Sequence, residues 1–182
     1  MPIPRLFLAV SGKRQLLLLG AVMLIAGAAM LPAIATMSDH GASLAAFESP
    51  GGVAGAEEIL DEWGHAGETA MWWQLGLDVP FIIGFCLLFA GACAAVARRA
   101  SAASMPRLER AASFAVWIGP LAAAADLVQD LCAAIMLSGQ VEEPWPGLSG
   151  LAISLVGPLW VAATLFAVGG WLATRGRGPR DG

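Results

Sequence analysis

Residues 149–174 read SGLAISLVGPLWVAATLFAVGGWLAT and contain no Asp, Glu, Lys or Arg. At about 1.5 Å of rise per residue, a helix of this length crosses a hydrocarbon core of roughly 30 Å. Three further runs are as long and predominantly apolar. They are about 15–37 (QLLLLGAVMLIAGAAMLPAIATM), about 70–97 (AMWWQLGLDVPFIIGFCLLFAGACAAVA) and about 111–137, which opens AASFAVWIGPLAAAADL. The composition agrees. Of the 182 residues 58% are hydrophobic and only 13% charged, with a mean hydropathy of +0.71. A soluble domain carries about 25% charged residues. The expected fold is all-α: a single membrane domain over 1–182, built as an integral membrane four-helix bundle.

The basic residues divide cleanly. Arg5, Lys13 and Arg14 precede the first span. Arg98, Arg99, Arg107 and Arg110 lie between the second and third, and Arg175, Arg177 and Arg180 follow the fourth. These ten are all the lysines and arginines in the chain. The positive-inside rule then predicts both termini on the cytoplasmic side. The opposite loops are acidic. Residues 38–69 hold Asp39, Glu48, Glu57, Glu58, Asp61, Glu62 and Glu68, and 138–148 hold Glu142 and Glu143. A competing expectation is a cleaved signal peptide, with Lys13 and Arg14 before an apolar run and Ala33-Ile34-Ala35 as the cleavage site. That run is longer than a signal core, and cleavage would leave three spans.

The first outer loop is expected to contain an amphipathic helix over about 52–63. Val53, Ile59, Leu60 and Trp63 fall on one face, with Glu57, Glu58, Asp61 and Glu62 opposite. Its acidic polar face is unlike the basic face of lipid-binding helices, so it should pack on its own bundle. Gly64-His65-Ala66-Gly67 should break it. Trp72, Trp73, Trp145 and Trp171 sit near span ends, as an aromatic belt requires, while Trp117 and Trp160 lie deeper and read as packing residues. Pro32, Pro80, Pro120 and Pro158 place one proline in each span, where each is expected to kink its helix. The tail, about 175–182, reads as disordered.

Several chemistries lack their residues. Cys86, Cys93 and Cys132 form no C-x-x-C pair, and His40 and His65 both lie in the outer loop. Thiol redox, covalent haem and bis-histidine haem sites are therefore not expected. No phosphate-binding loop or nucleophile elbow is present. No cofactor, no metal and no nucleic-acid partner is expected. The bilayer is, and a membrane-protein partner or a homo-oligomer stays open.

The candidate site is intramembrane. Asp78 lies in the second span, and Asp126 and Asp130 in the third. A carboxylate at bilayer depth costs at least about 2.5–3.5 kcal/mol on insertion scales, and such residues face a bundle interior or a wet cavity. Asp78 is about eight residues, roughly 12 Å, inside the outer end of its span, and Asp130 about seven residues, roughly 10 Å, inside its own. Asp126 and Asp130 are one turn apart on one face, Gln74 is one turn before Asp78, and Gln129 borders the aspartates. The five can form one polar cluster. No Lys, Arg or His within a span can neutralise it, so a proton, a cation, a cationic ligand or water must compensate. Three readings follow. The residues clasp helices together, within an accessory subunit of a larger complex; or they line an outward-facing pocket for a small or lipidic ligand; or they line a proton or cation pathway. An oxygen-only set suits a hard cation better than zinc or copper. Whether a reaction is catalysed stays open.

Leu77-Asp78-Val79-Pro80-Phe81 and Ala125-Asp126-Leu127-Val128-Gln129-Asp130 also carry a resemblance. The chain resembles a family of uncharacterised bacterial four-helix integral membrane proteins, with an LD-x-P element in the second span and an AD-x-x-EN motif in the third. Here Gln129 and Asp130 stand where the family has acid then amide. The resemblance implies the four-helix fold and the bacterial inner membrane more than a function. A weaker likeness is to the four-helix sterol-isomerase and sigma-2-receptor group, where intramembrane acids face a lipophilic amine or sterol.

Overall fold

In the computed structural model, which describes residues 3–175, the protein is all-α, with no strand among those residues. A short α1 (Arg5–Ala9) leads into α2 (Lys13–Asp39). After it come a single turn of helix, α3 (Leu44–Glu48), and the long α4 (Val53–Ala102). Helices α5 (Pro106–Ala115), α6 (Ile118–Leu137) and α7 (Trp145–Thr174) complete the chain. Four segments are long and apolar enough to cross a membrane: Lys13–Asp39, Val53–Ala102, Pro106–Leu137 and Trp145–Thr174. The chain is thus a multi-pass membrane protein, with the four spans the hydropathy pattern predicts. Large apolar side chains such as Leu24, Ile25, Leu155 and Leu165 are exposed along α2 and α7, and the acyl chains of lipid are the surroundings that suit them.

The boundaries differ from the sequence expectation in instructive ways. The outer helix and the second span are parts of one element, α4, interrupted at Gly64. Gly64 has φ 50° and ψ −162°, a conformation essentially reserved for glycine. The expected outer helix is therefore the arm 53–63, and the span continues from residue 65. The third span is also divided. Helix α5 ends at Ala115, and α6 starts after a turn at 116–117. Pro120 consequently lies in the first turn of α6, where no intrahelical bond is lost. Only Pro32, Pro80 and Pro158 are interior to their helices. Of the expected tail, 176–182 lies outside the described residues.

The chain forms two compact units, each assembled from discontinuous segments. One comprises Val22–Ile82 and Ala124–Val156. Its core gathers Met37, Phe47, Ala56, Ile59, Trp63, Met71, Ala133 and Met136. The amphipathic reading of 53–63 holds within it. Ile59 and Trp63 are buried, Val53 and Leu60 partly so, while Glu57, Glu58, Asp61 and Glu62 are exposed. Trp63 anchors this region. Its indole N–H donates to the Ala42 carbonyl at 2.7 Å, and its ring lies 4.8 Å from that of Phe47.

The other unit comprises Met1–Ala21, Ile83–Ala123 and Gly157–Gly182. Phe7, Ala90, Cys93, Ala94, Ala115 and Val116 form its core. Trp160 stacks on Phe85 at 4.1 Å, the packing role its depth predicts. Trp117 meets Phe7 edge-on at 6.0 Å but stays 37% exposed, because the turn at 116–117 carries it off the helical face. In this unit α7 approaches α4 closely at Gly170, where an added Cβ would come within 2.6 Å of Val96 Cγ1.

Candidate functional site

The buried stripe of α6 runs Ala122, Asp126, Gln129, Ala133 and Met136, the three- and four-residue spacing of one helix face. Asp130 flanks that stripe and is partly buried. On α4 the equivalent stripe runs Met71, Gln74, Asp78, Ile82, with Asp78 partly buried and the others buried. The polar residues of both stripes belong to the same compact unit.

The three aspartates come together there. The side chains of Asp78 and Asp130 share a hydrogen bond. A bond between two carboxyl groups needs a proton on one of them. Asp126 lies within electrostatic reach of Asp78. Gln74 and Gln129 are 6% and 2% exposed. The Gln74 amide donates to the thioether sulfur of Met30 on α2 at 3.4 Å, a weak acceptor. The amide oxygen of Gln74 and the amide nitrogen of Gln129 are both buried without a hydrogen-bond partner. A buried polar atom left unpaired costs about 1–3 kcal/mol.

A fourth carboxylate joins from outside the spans. Glu48 closes α3 and lies within electrostatic reach of Asp126, Asp78 and Asp130. Burial, then the negative charge of Asp126 and that of Asp78, push its carboxyl up to about 7. Its position is built by neighbours. Ser43 caps α3, its hydroxyl accepting from the Ala46 N–H at 3.3 Å. Phe47, fully buried against Trp63, pins the helix. The Ser149 hydroxyl, on α7, donates to the Glu48 carbonyl at 3.0 Å. Beside it Gly150 runs close to Ser49, whose Oγ would lie 3.3 Å from an added Cβ.

The site thus gathers Glu48, Asp78, Asp126 and Asp130, with Gln74 and Gln129 on the same helix faces. None of the interactions that tune Glu48 involves a basic group. Among the described residues no three His, Cys, Asp or Glu side chains are grouped so as to hold one metal ion. A nearby cavity of about 410 Å³, lined by residues including Pro32, Thr36, Thr69, Trp73 and Leu77, does not include the acids in its walls.

Compared with protein-family models, with curated proteins and with solved structures, the chain matches none.

Proposed function

We propose that this multi-pass membrane protein binds a small or lipidic amine at its intramembrane carboxylates, from the side on which α3 lies. The observation that carries the reading is the approach of Glu48 to Asp78, Asp126 and Asp130. A structural clasp between two spans needs only residues of those spans, whereas a fourth acid brought in from a loop adds negative charge that a clasp does not use. An ammonium group would compensate that charge and offer its donors to the carboxylates. The unpaired amide oxygen of Gln74 is a further acceptor. In this reading the protein resides in the bacterial inner membrane with both termini cytoplasmic, as the ten basic residues favour, and the site opens outward. The likeness of LDVPF and ADLVQD to the uncharacterised bacterial family belongs to the same proposal.

The test is native mass spectrometry of mildly extracted protein titrated with a long-chain primary amine and with the alcohol of equal chain length. The amine should give a saturable adduct that the alcohol does not, and Asp78→Asn should lose it while keeping its helical content by circular dichroism. Equal adducts from amine and alcohol would overturn the proposal.

A second reading draws on the Asp78–Asp130 hydrogen bond. In it the acids fix helix register, and the protein is an accessory subunit of a larger membrane complex. A stoichiometric protein partner in the same spectra, with no amine adduct, would favour that reading.

A further inference from the structure

The unit that contains α1 has a cavity of its own, of about 900 Å³. That volume is within the range of small-molecule sites, about 300–1,000 Å³. Its wall is built from apolar and small side chains. Leu16 and Leu17 come from α2, Ala92, Ala95 and Val96 from α4, and Ala167 and Val168 from α7. All its charged lining residues are cations: Lys13, Arg98 and Arg99. No acid lines it.

The cations lie at one end of the apolar wall. Lys13 is the first residue of α2, and Arg98 and Arg99 lie in the last turns of α4. From Arg99 back to Ala92 is about seven residues, roughly 10 Å of apolar helix. Arg98 is held in place by donating to the Ser11 carbonyl at 3.0 Å. That bond uses one of its five N–H donors and leaves the rest of the guanidinium available. Trp171 lines the same cavity, with the Arg175 guanidinium 4.9 Å above its ring. A tryptophan beside cations at the end of a span marks the headgroup level.

We propose that this cavity is a binding site for an anionic glycerophospholipid. The phosphate is held by Lys13, Arg98 and Arg99, and one acyl chain lies along Leu16, Ala95 and Val168. Charge complementarity selects the headgroup, because the charged lining residues described are all cations and an anion among them offsets their mutual repulsion. The apolar wall selects a lipid over free phosphate, which would leave that wall unused. Basic recesses between spans are the expected seat of anionic lipids. The proposal is independent of the carboxylate site, which shares none of these residues.

The experiment is native mass spectrometry of detergent-extracted protein with equal concentrations of dioleoyl phosphatidylglycerol and dioleoyl phosphatidylcholine, repeated with excess glycerol 3-phosphate. Phosphatidylglycerol should be retained preferentially, and glycerol 3-phosphate should not displace it. In the double variant Lys13→Gln, Arg99→Gln the preference should fall by about fivefold per cation removed. Both residues are exposed, and Arg98 is left intact to keep its bond to Ser11. Ala167→Phe, which fills the wall, should reduce binding of both lipids. Equal retention of the two lipids, displacement by glycerol 3-phosphate, or a preference unchanged in the double variant would each overturn the proposal.

Discussion

The carboxyl groups of Asp78, on α4, and Asp130, on α6, share a hydrogen bond. Asp78→Asn and Asp130→Asn each replace an acid with an amide that both donates and accepts, so either single variant should keep a bonded pair. Hydrogen bonds between membrane helices average about 0.6 kcal/mol, and a double-mutant cycle should give a coupling of that order. Asp130→Leu should cost more, by about 1–3 kcal/mol, because Asp78, partly buried, loses its partner. Unfolding in mixed micelles measures all three. Equal stabilities for Asp130→Leu and Asp130→Asn would show that the bond contributes nothing.

Glu48 should give the folded state a pH dependence. Its carboxyl titrates near 7 when folded against an ordinary value of 4.5, so the folded state binds the extra proton between those values. Stability from this group is fully present below about pH 4.5 and is lost as pH rises through 7. At about 1.4 kcal/mol per tenfold change in proton affinity, the ceiling is about 3 kcal/mol. Glu48→Gln should raise the melting temperature at pH 8 and leave it nearly unchanged at pH 4.5. A variant equally stabilised at both pH values would contradict this assignment.

Trp63 should be among the costliest positions in its unit. Trp63→Ala removes the 2.7 Å bond to Ala42 and the contact with Phe47. An aromatic-to-alanine change in a core costs about 3–5 kcal/mol. Trp63→Phe keeps an aromatic ring of smaller volume and should cost less than the alanine change, with about 1 kcal/mol of its cost from the lost hydrogen bond. Chemical denaturation of the two variants checks the order. A Phe variant as damaged as the Ala variant would give the hydrogen bond more weight than the packing.

Gly64 should not accept a side chain. No heavy atom lies within 4 Å of an added Cβ there, so a loss in Gly64→Ala would report backbone strain alone. The expected cost is about 1–3 kcal/mol. A neutral substitution would mean that the arm 53–63 and the span can run through residue 64 as continuous helix.

The spans were legible because a bilayer demands long apolar runs, and no tertiary detail can override that demand. Asp78, Asp126 and Asp130 were legible for the same reason, since any acid inside such a run stands out. Glu48 was not. It is one of seven acids in 38–69, and nothing in its own side chain separates it from Glu57 or Glu58, which are exposed. The available clue was local: a capping serine, Ser43, followed by Leu44 and Phe47 three residues apart, a single amphipathic turn in an acidic stretch. The break between α5 and α6 was hidden too, because the apolar composition of 111–137 runs across it without interruption. Trp117 packs edge-on against Phe7 yet stays 37% exposed, and its depth in the run says nothing about that turn.

The Ser149 hydroxyl that holds the Glu48 carbonyl comes from the last long helix, 101 residues further along the chain. During synthesis α3 and the aspartates therefore exist before the contact that fixes Glu48 beside them. A nascent chain that has inserted α2, α4 and α6 still lacks the residues of α7 that secure its acidic centre. Completion of the site is thus tied to the arrival of the C-terminal helix, and a chain truncated before Trp145 would carry every carboxylate of the cluster without the contact that holds the fourth in register.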